Sequence, residues 1–273
     1  MFVNKKNFSH NDFITGEKFT KICDRVFFHY KDIDVSAIRP HETFLYTDTY
    51  RFEDLVRIIP RDRSFVLVTH NSDRNIYDDM ASSLPPNITW FSQNVCTKSP
   101  KVNPIPIGLE NDRWFPEINK KGKLLERNHS NSMPSKLLYV NHAIWTNPES
   151  RQIVYDLLRN KSWVTCVENS KNGTNFDSYL NDITDHFYVA SPNGNGSDCH
   201  RTWEVLYANR VPIVTRNSND SMFDGLPVLI IDSWEEVTED FLRSKMSYFT
   251  STVFTGFDKL TFSYWEQKIK GHK

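Results

Sequence analysis

The chain reads as an α/β protein built on parallel sheets. Three observations predict this: β-branched and aromatic runs of strand length, amphipathic segments alternating with them, and a pattern that restarts after a polar interval. Strands alternating with helices of this length call for parallel sheets covered on both faces.

In the first half, RVFFHY, SFVLVTH (64–70) and NITWFSQN (87–94) carry the composition of buried strands, and FEDLVRII (52–59) repeats at helical spacing between polar caps. PKVNPIPIGLE (100–110) holds three prolines and a glycine, which suits a turn leading out of a sheet. Residues 117–136 are polar, charged and interrupted by Gly and Pro, so they are the expected boundary between two halves. Beyond it, KLLYVN, SWVTCVE, FYVAS, VPIV and LPVLIID read as strands. PESRQIVYDLLRN, FDSYLNDIT, CHRTWEVLYAN and SWEEVTEDFLRS read as helices, the last with a capping box of Ser233 and Glu236. The predicted organisation is an N-terminal unit over 1–130 and a C-terminal unit over 131–249. Residues 250–273 form a helix that returns to the first.

With 38% hydrophobic and 14% aromatic residues, the 273-residue chain can bury a core in each half. Its 33 basic and 34 acidic residues leave a formal charge of -1, which supplies no global field for a nucleic acid or an anionic membrane. Cys23, Cys96, Cys166 and Cys199 are widely spaced without a CxxC pair, so reduced thiols in a cytoplasmic compartment are expected. No run has the length of a signal peptide core or a membrane span. Sequons at Asn87, Asn172 and Asn195 arise readily in an Asn-rich chain, and a glycan on Asn195 would block its own loop.

That loop is SPNGNGSDCHRTWEVLYANRVPIV (191–214), which spends two of nine glycines at one helix entrance. A helix N-terminus presents unsatisfied N–H groups and partial positive charge, and Gly194 and Gly196 let an anion approach the backbone. Arg201 can fork two hydrogen bonds onto a phosphate. His200 and Glu204 share a helix face, and the Glu204 carboxylate can accept hydrogen bonds from vicinal hydroxyls such as those of a ribose. A plain glycine turn with Asp198 as cap and a His200–Glu204 surface pair remains open on spacing alone. GNGSDC lacks the third glycine of a dinucleotide fingerprint, and GKLLER at 122 lacks the Ser or Thr of a P-loop.

Together with DSMFDGLPVLIIDSWEEVT (220–238), this stretch resembles the donor domain of exostosin-like glycosyltransferases, the family 47 type, in the branch that contains xylosyltransferases. The resemblance is close over about 187–242 and looser over KLLYVNHAIWTNPESR (136–151) and VNPIPIGLEN (102–111). It implies a GT-B architecture, in which two Rossmann-like domains with parallel sheets face a central cleft. It also implies a UDP-sugar donor, with UDP-xylose the first expectation, inverting transfer to a glycan acceptor, and no metal cofactor. Glu204 matches the family's acidic position, expected at the ribose, and Asn195, Ser197, His200 and Arg201 fall in its donor loop. A family-style Golgi anchor is not seen in the sequence.

Inverting transfer needs a base on the acceptor side. SFVLVTHNSDRN ends a predicted strand in polar residues and offers Asp73 first, then His70, with Asp48 and Glu110 as lesser candidates. Asn141, Thr146 and Arg151 in NHAIWTNPESR, and Arg216 with Asn217 after VPIVT, are further expected donor contacts. The triplet Asp32 to Asp34 is what a metal-dependent GT-A enzyme would use. A catalytically silent sugar-binding module and a nicotinamide-dependent oxidoreductase are the other readings.

Overall fold

The computed structural model describes residues 7–27, 33–114, 119–128, 133–167 and 175–272. It is a mixed α/β protein with two wholly parallel five-stranded sheets, a Rossmann-like arrangement. The first sheet runs in chain order through β1 (Arg25–Phe27), β2 (Phe44–Asp48), β3 (Phe65–His70), β4 (Ile88–Ser92) and β5 (Val102–Pro104). The second comprises β6 (Lys136–Val140), β7 (Val164–Cys166), β8 (His186–Ala190), β9 (Val211–Thr215) and β10 (Leu229–Ile231), in the spatial order β7-β6-β8-β9-β10.

Both orders have consequences. In the first sheet each crossover steps the same way, so right-handed connections put α2 (Phe52–Ile58) and α3 (Asp78–Ser83) on one face. There they cover Leu45, Leu67 and Trp90, with Phe52 stacked on Trp90 at 4.0 Å. The alternate residues Phe44, Tyr46, Val66 and Val68 point the other way, as strand period dictates, into a core continuous with that of the second sheet. In the second sheet the chain leaves β6 outward to β7 and then returns to the other side of β6 as β8. Loops diverge at such a switch point and open a crevice beyond the strand carboxyl ends.

The elements that close the fold are aromatic. Phe19 of α1 (Gly16–Lys21) meets Phe262 of α9 (Phe262–Lys270) edge-on at 5.2 Å, and Phe262 N donates to Asp12 O at 2.7 Å. The buried Tyr207 hydroxyl, at the end of α7 (His200–Tyr207), accepts from Ile14 N at 3.1 Å and donates to Leu260 O at 2.9 Å. Each such buried aromatic contributes about 1.5–3 kcal/mol.

Several elements differ from the sequence reading. The polar interval contains α4 (Lys120–Asn128), whose Leu124 is fully buried in the shared core. Its Lys123 and Arg127 reach Asp177 and Asn181 on α6 (Phe176–Asp185), both at 2.6 Å. Tertiary contact, absent from any local composition count, makes that segment a packed helix. SWEEVTEDFLRS splits in two. The Ser233 and Glu236 capping box forms, but on a 3-10 turn over Trp234–Glu236. A second cap, Thr238 on Phe241 N, then starts α8 (Glu239–Ser251). PKVNPIPIGLE includes the short edge strand β5. RVFFHY is a strand over Arg25–Phe27, and its remaining residues lie outside the described ones. α5 (Pro148–Leu158) begins as its sequence demands, with Asn147 as cap and Pro148 in the first turn. All four cysteines are free. Among the described residues no helix is long and apolar enough to cross a membrane.

Candidate functional site

At the switch point, beyond the carboxyl ends of β6 and β8, lies a pocket of about 390 Å³. Asn141, Thr146, Arg151, Gly194, Asn195, Gly196, Asp198, Cys199, His200, Arg201 and Glu204 line it from the second half. Asp73, Ile107 and Glu110 line it from the first, and Lys120, Phe176 and Tyr179 complete the wall. The pocket thus gathers every residue expected on the donor side except Ser197, Arg216 and Asn217, the last with its amide on Ser197 O and Thr215 O. Ser197 is buried away from the pocket, with its N–H on Asn75 Oδ1 and its hydroxyl accepting from Asn219, at 3.0 and 2.9 Å. Arg216 pairs with Asp232 at 2.6 Å and Asp220 at 3.3 Å and does not reach the pocket.

The glycines have a different reason from the one their position suggests. A Cβ on Gly194 would lie 2.8 Å from Arg151 Nη2, and one on Gly196 would lie 2.4 Å from the Asn94 amide. Glycine here makes room for protein side chains. Asn94, itself in the left-handed region at φ 56°, accepts from Asp198 N and donates to Ser72 O, both at 3.0 Å. Arg151 is buried and spends its donors on protein acceptors. They go to Asn193 O and Ala143 O at 3.0 Å, Thr146 Oγ1 at 2.5 Å, and Pro192 O and Cys199 Sγ at longer range. It therefore braces the loop and adds positive charge, but has no fork left for a phosphate. Asp198 accepts from Ile107 N, Cys199 N and the Trp203 indole, so it ties the loop to the first half. Burial lifts its pKa to about 6 against the pull of those donors.

Arg201 is the exception in this saturated surround. Among the described residues it has no hydrogen bond or ion pair, and its Nε is buried without a partner while the side chain lines the pocket. A buried guanidinium N–H left unsatisfied costs on the order of 1–3 kcal/mol, which an arriving anion can recover. One turn on, Glu204 is buried and accepts the Tyr179 hydroxyl at 2.8 Å. Burial and that carboxylate hold the Tyr179 phenol well above its ordinary pKa, so it stays a donor. His142, just after β6, donates from Nε2 to Arg151 O at 2.9 Å, leaving Nδ1 buried without a partner. Burial first, then Arg201, lowers its pKa to about 4.

A second, adjoining pocket of about 290 Å³ opens toward the first half, beside Asn71, Gln93, Asn111 and Tyr50. Asp73, Ile107, Glu110 and His200 line both pockets. Asp73 is exposed at this junction and accepts from Asn195 Nδ2 at 3.0 Å. His70 is buried with both nitrogens committed: Nδ1 accepts from Asn71 N at 2.8 Å and Nε2 donates to Pro106 O at 3.0 Å. Burial drops its pKa to about 4, and its ring stacks on Phe19, so it frames the second pocket without a lone pair to offer. Asp48 caps the 3-10 turn that follows β2 and lines neither pocket. His200 pairs with Glu110, not Glu204, because Glu204 is turned toward Tyr179.

Tyr179, Phe176 and Lys120 were not singled out by sequence. The first two sit on the apolar face of a helix and read as core, while the third lies in the apparent linker. Of the Asp32 to Asp34 triplet, Asp32 is outside the described residues, and Asp34 caps a 3-10 turn by accepting from Ser36 N at 3.0 Å. Asn172 also lies outside them. Among the described residues no group of three or more His, Cys, Asp or Glu is placed to hold a metal ion. No protein family model matches the chain, and no curated protein matches it either.

Proposed function

We propose that the protein is a glycosyltransferase of GT-B type, in which the pocket at the β6–β8 switch point holds a nucleoside diphosphate sugar, UDP-xylose being the first candidate. The single observation that carries this reading is Arg201, a guanidinium without a partner among the described residues, beside the entrance of α7 in a pocket closed by Glu204. The diphosphate sits against Arg201 and the first amides of α7, with the buried Arg151 adding charge from behind. Glu204, steadied by Tyr179, takes the ribose hydroxyls. The acceptor glycan enters the second pocket, on the side of the N-terminal unit 1–130, while 131–249 carries the donor. The acceptor oxygen attacks the anomeric carbon, the bond from that carbon to the diphosphate oxygen breaks with inversion, and the diphosphate leaves with the electron pair. Side-chain and helix charge stabilises the leaving group without a metal. The base that takes the acceptor proton belongs on the wall the two pockets share, where Asp73 and Glu110 both stand.

The test is a panel of UDP-sugars, GDP-sugars and NAD, read by thermal shift and by mass spectrometry of products with EDTA present. UDP is expected to raise the unfolding midpoint, and one UDP-sugar to yield UDP and an inverted glycoside. Stabilisation by NAD alone overturns the reading in favour of an oxidoreductase. UDP binding without turnover of any donor leaves a silent binding module, and loss of all turnover in EDTA overturns the metal-independent mechanism.

A further inference from the structure

A group that removes the acceptor proton while the anomeric carbon is attacked must touch both substrates, so it has to lie on the wall the two pockets share. That wall contains Asp73, Ile107, Glu110 and His200. Asp73 is exposed there and already holds the Asn195 amide. Glu110 and His200 are arranged differently. His200 Nδ1 lies 2.7 Å from Gly108 O, and since a carbonyl only accepts, Nδ1 must carry the ring hydrogen. In a neutral ring Nε2 then carries the lone pair, and it lies 3.4 Å from Glu110 Oε2. The other carboxylate oxygen, Oε1, accepts from Asn111 N at 2.9 Å, which fixes the direction of Oε2. Two acceptors thereby lie close together, and a proton gained by the carboxylate has a lone pair within reach.

Building on the sugar-transfer reading, we infer that Glu110 is the catalytic base and that His200 is its positioning partner. The acceptor hydroxyl gives its proton to Glu110 Oε2 as its oxygen bonds to the anomeric carbon, and the carbon–diphosphate bond breaks with its electrons on the leaving group. The new carboxylic acid donates to His200 Nε2, which holds the proton within the pair. His200 reaches Glu110 from the first residue of α7, which couples the base to the helix entrance that receives the diphosphate. Other ionisable groups lining the two pockets with this pair include Asp73 and His70 from the end of β3, Arg113 from the turn over Asp112–Trp114, Lys120 from α4, Arg151 from α5, Tyr179 from α6, and Asp198, Arg201 and Glu204 around α7. Asp73 is left to orient the donor loop through Asn195.

The experiment measures kcat, KM and UDP affinity for the full chain and for Glu110→Gln, His200→Asn and Asp73→Asn. Glu110→Gln, whose amide can still donate to Nε2, is expected to lose about 100- to 10,000-fold in kcat while binding UDP within about threefold of wild type. His200→Asn should lower kcat by about tenfold or more while UDP affinity stays within about threefold, a split that a merely structural role would not give. Asp73→Asn should lower kcat at least about tenfold less than Glu110→Gln does, its effect passing through Asn195 and the donor loop. Glu110→Gln turnover within about tenfold of wild type, or a loss confined to Asp73→Asn, overturns the assignment of the base. A wild type that neither binds UDP nor transfers sugar overturns the sugar-transfer reading itself. Nitrogen-15 NMR of His200 tests the pair independently of turnover. Nδ1 should carry the ring hydrogen in wild type and in Glu110→Gln, as its contact with Gly108 O requires, and a bare Nδ1 overturns the placing of the Nε2 lone pair beside Glu110.

Discussion

Replacing Arg201 by Met separates a ligand-binding cation from a structural one. Its Nε is buried without a partner, and no carboxylate pairs with it among the described residues. Removing the guanidinium while keeping the aliphatic stem therefore deletes a desolvation cost and leaves packing largely in place. The free protein should be unchanged or more stable, by up to about 1–2 kcal/mol in urea unfolding. Binding should respond in the opposite sense. Two charge-assisted hydrogen bonds to a diphosphate, at roughly 1.5–3 kcal/mol each less overlap, imply a loss of about 3–4 kcal/mol, or roughly 100- to 1,000-fold in Kd for UDP. Calorimetric titration with UDP and equilibrium urea unfolding on the same preparation read both quantities. Affinity within about threefold of wild type, with stability reduced by more than about 1 kcal/mol, would refute the reasoning and make Arg201 a structural residue.

Gly196→Ala should cost about 2–4 kcal/mol, because the new methyl group displaces Asn94 from its bonds to Asp198 N and Ser72 O; a cost under about 1 kcal/mol in urea unfolding contradicts that packing. Tyr179→Phe leaves Glu204 buried with one hydrogen bond fewer, so stability should fall by about 1–3 kcal/mol and UDP affinity should drop with it. Stability should also decline in acid. His70 and His142 are held near 4 against an ordinary 6.5, so each contributes stability that is complete above 6.5 and lost as pH falls toward 4, about 3 kcal/mol apiece. Asp198, raised to about 6, acts in reverse, its contribution being present below its ordinary value and lost as pH rises through 6. The net acid loss is then about 3 kcal/mol, measurable by urea unfolding at about pH 7.5 and 4.5, and His70→Gln should remove most of it.

The second half was largely legible because its strands and helices are local statements. VPIV and FYVAS are short apolar runs, and PESRQIVYDLLRN carries its own cap and first-turn proline. That loop 191–199 and the first turn of α7 line one pocket was legible for the same reason, since they are contiguous. What escaped depends on distance in the chain. Leu124 makes α4 a core helix only through residues far along the sequence, and Tyr179 becomes a pocket residue only through a bond to Glu204. The two glycines were noticed, but their physical reason, Arg151 and Asn94 pressing on the loop, is tertiary. Likewise the face shared by His200 and Glu204 suggested a local pair, whereas the fold sends the imidazole to Glu110 and the carboxylate to the phenol.

The central claim is that the crevice between β6 and β8 receives a diphosphate. Crystals of the protein soaked with UDP test it most directly. Phosphate oxygens are expected at about 3 Å from the Arg201 guanidinium and the first amides of α7, with the ribose against Glu204. UDP bound elsewhere, with Arg201 still facing solvent, would contradict it.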